Sequence, residues 1–473
     1  MAGPERGIER SGGRSDALSY HSRMPELQAF RALRFDPGVV GPLADVISPP
    51  YDVISPERQV ALAARHPRNA VWIDLPPAEP GDDPESKYRR AGEAFAAWRA
   101  DGTLRADPEP GVYAYEQSFT LPGSSERRVQ RGFFARLRLE PFGPGSGVLP
   151  HERTMSGPKE DRYRLMEATA ANLSPVVLLY RDGPDRPAEQ AMAGICESPA
   201  PIDVTDDDGV RHRVWRVLVG GPGSPGAVLL ATAGAAPLTI ADGHHRYETA
   251  LRYAQEHGGL PPASALSPAS GLPPAPARAD GSSADRILTL LLAAGHGLAV
   301  LATHRVVRGG LNGTRLIEAC GELFEVEPIA SAGELIGAFP PGAAGPRGRF
   351  GLWTGGRAAV LHVRPSAFGS LTDPAALETL RRLDVSLLAV ALERLVALDR
   401  DATAAGGRLT YTKDAAEAVA LVDRGDGDAA FLLDPTPPED VIRVAAAGGV
   451  MPQKSTYFYP KPVSGLLFNP FDL

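Results

Sequence analysis

No single hydrophobic core organises 473 residues, because chains longer than roughly 250–300 residues divide into separately packed units. Two or three units, each large enough to enclose an interior, are therefore expected. The 51 glycines and 46 prolines punctuate the chain so often that strands and helices must be short and joined by many loops.

Alternation and helical spacing supply the elements. The adjacent prolines in the segment 46–53 forbid a helix there and shape a loop. Residues 71–75, Val-Trp-Ile-Asp-Leu, read as a strand, and Tyr88, Ala91, Phe95 and Trp98 recur at helical spacing up to a stop at Asp101 and Gly102. Segments 111–119 and 128–139 flank Pro122 and Gly123 as an antiparallel hairpin, which calls for a mixed sheet. A helix is expected from about 159 to 170, a strand over 175–180, and a strand over 237–241 leading into a helix whose apolar face carries Tyr247, Ala250, Leu251 and Ala254. Strand character resumes over 287–293 and 298–302, a long helical stretch follows over 374–398, and a last helix stops at a glycine after 441–447.

The fold class is therefore α+β, with mixed sheets and helices. The expected division is a disordered tail over 1–24, an α+β domain over 25–305, a second α+β domain over 306–450 and an arm over 451–473 that returns to the site. Residues 257–285, biased to Pro, Gly, Ala and Ser, form a mobile insertion in the first domain.

A formal charge of −8 argues against nucleic acid as a partner, since that affinity comes from surplus Lys and Arg. Cys196 and Cys320 are the only cysteines, which excludes a disulfide framework and a cysteine zinc site and fits a reducing cytoplasm. The N-terminus is charged rather than apolar, unlike a signal peptide, and the apolar stretch 287–302 falls short of the about 20 residues of a membrane helix. A soluble cytoplasmic protein, with no membrane partner, is expected. No feature specifies an oligomeric state.

Chemistry concentrates at Asp242-Gly243-His244-His245-Arg246, where a strand becomes a helix. Glycine admits a ligand to backbone N–H groups, the helix start carries positive dipole, and Arg246 offers a planar fork to phosphate oxygens. His244 and His245 add donors or a proton relay. The plainer alternative has Asp242 capping the helix with solvated histidines beside it. His151 and Glu152, followed by Arg153, Thr154, Lys159, Asp161 and Arg162, form a second charged group, either a wall of the same pocket or a solvated helix face. His304 and Arg305 follow an apolar strand, where α/β sheets often place ligand groups. Lys454, Ser455 and Thr456 sit among aromatics in the segment 451–461, as phosphate ligands or as part of a docking arm, although no glycine-rich Walker loop precedes them. Asp45 and Asp52, near Tyr51, could present a carboxylate as base or Mg²⁺ ligand, or cap turns.

Six strings, FRALRF at 30–35, PPYDV at 49–53, PHERT at 150–154, IADGHHRYETA at 240–250, THRVV at 303–307 and MPQKSTYFYPK at 451–461, together resemble the uncharacterised DUF1015 family from about residue 25 to the end. Ala302 departs from the proline expected before THR, and the insertion after Glu256 is longer than usual. The loop at 242–246 also resembles the phosphate-binding loop of the ParB and sulfiredoxin-like superfamily, which includes CTP-binding partition proteins and free-serine kinases. That resemblance implies a ParB/sulfiredoxin-like core, with Gly243, His244, His245 and Arg246 on nucleotide phosphates and a carboxylate elsewhere as base. No cysteine stands in the loop, which sets sulfiredoxin chemistry aside.

The expectation is a small-molecule phosphotransferase, of which a free-serine-type kinase is one form, using ATP, ADP or CTP with Mg²⁺. Asp242, Gly243, His244, His245, Arg246, His151, Arg162, His304, Arg305, Lys454, Ser455 and Thr456 would bind nucleotide or phosphate. Glu152, Asp52 and His245 would be catalytic, and Asp242 and Asp45 would hold the metal. The alternatives are a phosphatase, a metal-dependent hydrolase using Asp242 and the histidines, and a nucleotide-binding switch without turnover.

Overall fold

In the computed structural model, residues 23–152, 154, 156–257, 260, 283–295, 297–398 and 407–473 are described. Residues 1–22 of the expected tail and nearly all of the expected insertion lie outside them, as does Arg153.

The expected hairpin is the centre of a nine-stranded mixed sheet. Its strands are β1 (Gly111–Thr120), β2 (Arg127–Arg138), β3 (Val148–Leu149), β4 (Val176–Tyr180), β5 (Ile202–Thr205), β6 (Arg211–Leu218), β7 (Leu238–Asp242) and β8 (Arg286–Ala293), in the order β3-β7-β4-β8-β2-β1-β6-β5, with Leu27–Gln28 pairing on β2. The β7–β3 and β8–β4 pairs are parallel and the others antiparallel. Both faces are covered: alternation along β1 sends Tyr113 and Tyr115 into one apolar cluster and Val112 and Ala114 into another. Helices α1 (Ser86–Ala100), α2 (Ser156–Thr169) and α3 (His244–Glu256) pack in series, α1 against α2 and α2 against α3.

The stripe predicted on α1 is buried as expected, with Trp98 5.9 Å from Phe35 and Phe95 6.0 Å from Phe468, ring centroid to ring centroid. The strand expected over 71–75 is instead a helical turn, Val71–Asp74. A short apolar run has no period to distinguish the two, and Asn69 decides it. Its Oδ1 accepts from Val71 N at 3.0 Å while its Nδ2 donates to the carbonyls of Asp45 and Ile47 at 2.7 and 3.1 Å, which starts a turn.

A second, wholly antiparallel sheet has six strands: β9 (His304–Val307), β10 (Phe324–Ile329), β11 (Arg349–Trp353), β12 (Ala358–Val363), β13 (Leu409–Thr412) and β14 (Ala429–Leu433), in the order β10-β12-β11-β14-β9-β13. The helix expected over 374–398 is broken into Glu378–Arg381 and α4 (Asp384–Val396), because Leu383 takes an extended conformation and Asp384 accepts the Gly348 N–H at 2.7 Å. One apolar cluster joins the two sheets, including Phe134 and Leu290 from the first and Phe350 and Phe431 from the second.

The last segment runs back over both. Tyr457–Tyr459 pairs with Ala299–Leu301, Ser464 bridges to Ser48, Phe468 to Leu33, and Asn469–Pro470 pairs with Ala171–Asn172. It thereby crosses the early proline-rich loop, whose Tyr51–Val53 forms a single 3-10 turn. Among the described residues no helix is long and apolar enough to cross a membrane.

Candidate functional site

A register shift between Ile240 and Asp242 ends β7 and turns the chain into Gly243, whose φ of 92° belongs to the left-handed region that glycine enters without strain. A Cβ at Gly243 would stand 3.0 Å from Arg246 Nε. The tight turn lets α3 begin at once, and its first closing bond runs from Tyr247 N to the Gly243 carbonyl at 2.9 Å. The N-cap residue is Gly243, which brings no capping side chain, so Asp242 is not the cap that the plainer sequence reading allowed.

Asp242 instead anchors an ion cluster. Its Oδ1 lies 2.8 Å from Lys461 Nζ and its Oδ2 pairs with Arg246 Nη2, while Lys461 also pairs with Asp52. Burial alone would raise the Asp242 carboxyl, but Lys461 and Arg246 more than offset it and hold the group well below the usual carboxylate range. Burial alone would lower Lys461, and Asp242 and Asp52 reverse that, leaving it firmly protonated.

Arg246 differs from its expected role. The guanidinium is buried beneath the loop, with Nη1 donating to the Pro175 carbonyl, Nη2 taken by Asp242 and Nε without a hydrogen-bond partner. It supports the loop rather than presenting a fork to a ligand. Arg162, also expected on phosphate, is buried between Asp74 (3.3 Å) and Asp161 (2.5 Å). Its Cζ lies 4.0 Å from the Tyr51 ring centroid, and Arg246 Cζ lies 6.0 Å from the same ring. The two arginines thus fix Tyr51, which holds the proline-rich loop against the site.

The histidines divide similarly. His151 Nδ1 donates to the Ile240 carbonyl at 2.5 Å, which leaves its Nε2 to accept from Thr456 Oγ1 at 3.2 Å, the tautomer being assigned from these partners. His151 N donates to His244 Nε2 at 3.3 Å, and the two rings meet edge to face at 4.7 Å. Burial pushes His151 down to about 4 and His244 well below its ordinary value, so both are neutral braces. His245 is half-buried. Burial lowers it, Glu248 opposes that, and Lys159 and Lys454 add to the lowering, so His245 shares one neighbourhood with two lysines. Lys159 Nζ and Thr154 Oγ1 both reach Glu248 Oε2 at 2.8 Å.

From the chain end, Lys454 is exposed and adopts a left-handed φ of 55°, uncommon for a residue with a side chain. Its N–H donates to Glu152 Oε1 at 3.5 Å. Burial raises the Glu152 carboxyl, and Lys454 opposes the shift only in part. Ser455 and Thr456 are committed elsewhere: Ser455 Oγ donates to the Pro452 carbonyl at 2.5 Å and Thr456 bonds His151. His304 and Arg305 belong to the six-stranded sheet, where His304 Nδ1 accepts from Leu433 N at 3.2 Å and Arg305 Nη1 donates to the Thr303 carbonyl.

Asp242 and Asp45 are not brought together as a pair of free carboxylates. Both Asp242 oxygens already face cations, Asp45 is tied to Asn69 through its backbone carbonyl, and among the described residues no three His, Cys, Asp or Glu side chains gather as a metal-binding group.

Sequence reasoning named neither Lys461 nor Lys413 as a ligand. Lys413 Nζ lies 4.5 Å from the Tyr457 ring centroid and 3.2 Å from its hydroxyl, and Lys461 Nζ lies 5.5 Å from the same ring. The available signal for Lys461 was its place at the end of a Pro-flanked aromatic string; Lys413 carried none.

Three solved structures resemble the chain in part. A conserved hypothetical protein from Pyrococcus furiosus is 15% identical, with a TM-score of 0.30, over 69% of this chain and 94% of that one. A free serine kinase in complex with AMP is 14% identical, with a TM-score of 0.31, over 66% and 83%. SbnI with C-terminal truncation from Staphylococcus aureus is 9% identical, with a TM-score of 0.32, over 69% and 84%. No curated protein matches the chain. The description "Protein of unknown function (DUF1015)" matches residues 27–386, and the chain belongs to that family.

Proposed function

We propose that the protein is a small-molecule phosphotransferase that binds a nucleotide or phosphate at the start of α3. The observation that carries this reading is that Lys159 and Lys454 both bear electrostatically on His245, in the first turn of a helix whose N-cap is Gly243, with Lys461 paired to Asp242 just before it. Phosphoryl transfer needs little beyond positive charge, fixed geometry and a positioned base. Backbone N–H groups of the first turn of α3 and the two exposed-side lysines would take phosphate oxygens. Lys461, with its side chain only 10% exposed, would hold the loop closed through Asp242 and face the transferring group.

Of the two expected bases, Glu152 is favoured, because Asp52 is paired with Lys461 and Glu152 lies in a half-buried position that raises its carboxyl toward working pH. The acceptor hydroxyl would give its proton to Glu152 as its oxygen bonds the terminal phosphorus. The bond from that phosphorus to the bridging oxygen breaks, and the nucleotide leaves one phosphate shorter. Mg²⁺ would enter with the nucleotide, as part of the substrate, rather than in a site built beforehand.

Incubation with terminally labelled ATP and a panel of small alcohols, with and without Mg²⁺, tests this. Labelled phosphate esters are expected, in amounts reduced at least about 100-fold in Glu152→Gln, the loss typical of a removed general base. Release of free phosphate alone, unaffected by any alcohol, would make the protein a phosphatase instead.

A further inference from the structure

Arg305 is a buried charge that the proposed chemistry does not use. Side chains alternate along β9, so Arg305 shares a face with Val307, and its cross-strand partners are Phe431 on β14 and Tyr411 on β13. Val307 and Phe431 belong to the apolar cluster that joins the two sheets, so a guanidinium points toward the interior from the rim of that face. The residue is 5% exposed. Among the described residues it donates one hydrogen bond, to the Thr303 carbonyl, and its Cζ lies 5.7 Å from the Tyr411 ring centroid. The two buried arginines of the site have carboxylate partners, Asp74 and Asp161 for Arg162 and Asp242 for Arg246. Among the described residues none pairs with Arg305.

Keeping an isolated cation out of water is costly unless an anion and further hydrogen bonds compensate. Among the described residues the guanidinium shows one acceptor for its five N–H donors and no carboxylate.

We propose that Arg305, with the Tyr411 ring beside it, is the binding site for the carboxylate of a small organic acid. Charge decides between anions. One guanidinium in apolar surroundings is neutralised by a monoanion, whereas a phosphate dianion would need a second cation at the same point. The planar fork also matches a carboxylate in two parallel hydrogen bonds. Burial raises the Tyr411 phenol, which stays neutral and able to donate, and the same phenol feels the charges of both Arg305 and Glu152. Tyr411 is thus within electrostatic reach of both the proposed anion site and Glu152. In the phosphotransfer reading, on which this last step rests, the acceptor is a small hydroxy acid whose carboxylate is anchored at Arg305 and whose hydroxyl reaches Glu152.

Calorimetric titration of the full-length protein with glycerate and lactate, set against glycerol and lactamide, tests the site. Both acids should bind and their neutral counterparts should not. Arg305→Met should remain folded, with equal or greater stability, since an apolar replacement removes the buried charge. It should bind the acids about 10- to 100-fold more weakly, the loss expected of charged hydrogen bonds, and still respond to ATP. Arg305→Lys, which keeps the charge but not the fork, should also lose affinity, and it decides the matter if the methionine variant does not fold. Equal binding of acid and neutral analogue, absence of acid binding in the wild type, or unchanged acid binding in the lysine variant would overturn the proposal. Loss of the ATP response alone, with acid binding intact, would remove the phosphotransfer reading and leave this site standing.

Discussion

Lys461 Nζ stands 2.8 Å from Asp242 Oδ1, tying the returning end of the chain to the strand end where α3 begins. Lys461 also pairs with Asp52, so one ammonium joins three parts of the sequence. Lys461→Met should therefore loosen the proline-rich loop and the chain end together. Because Asp242 keeps Arg246 and Asp52 is partly solvated, the expected loss is about 1–3 kcal/mol in urea denaturation. Asp52→Asn should cost less than Asp242→Asn, which strips two cations of their shared partner.

Arg246→Ala removes a buried charge whose partners are Asp242 and a main-chain carbonyl, and about 3–5 kcal/mol of stability should go with it. Its effect on ligand binding is then inseparable from its effect on the fold. His245→Ala and Lys454→Ala are the cleaner probes: each should change the denaturation midpoint little and weaken phosphate binding.

Gly243→Ala tests the turn itself. A side chain at φ 92° is strained, and its Cβ would stand 3.0 Å from Arg246 Nε, so a loss of about 1–3 kcal/mol is expected. Circular dichroism on heating should show a lowered midpoint, and phosphate affinity should fall with it because the first turn of α3 is displaced.

The neutral histidines give stability a pH dependence. Burial depresses His151 to about 4 in the folded state, against about 6.5 when unfolded. Between those values the unfolded chain binds the extra proton, so stability is complete above the upper value and falls as pH drops through the window. His151→Gln should make the fall shallower by about 1.4 kcal/mol per pH unit between the two values, measured by denaturation at a series of pH values. An identical slope in wild type and variant would contradict the assignment of His151 as a neutral brace.

Local pattern carried much of the fold. The stripe of α1, the hairpin β1–β2 and the passage from β7 into α3 were legible because each has a period or a turn signal longer than the ambiguity of its ends. The run 71–75 was not, since four apolar or small positions fit a strand or a turn equally and the deciding contacts come from Asn69 to Asp45 and Ile47. At the site, residue types were legible and their directions were not. Arg246 and Arg162 have the chemistry of phosphate ligands, yet nothing in the neighbouring sequence says that Asp242 and Asp74 will turn them inward. Lys461 was missed for the complementary reason: its partners lie in segments distant in sequence, and only the sheet topology brings them together.

In the proposed function, phosphate binds where Lys159, Lys454 and His245 meet the start of α3. Thermal denaturation with ATP, ADP, CTP and pyrophosphate, each with and without Mg²⁺, on wild type, His245→Ala and Lys454→Ala, tests it most directly, because a ligand confined to the native state raises the midpoint by mass action. A nucleotide-dependent rise in the wild type that is reduced in both variants is the predicted result; a wild type indifferent to every phosphate compound would contradict the account.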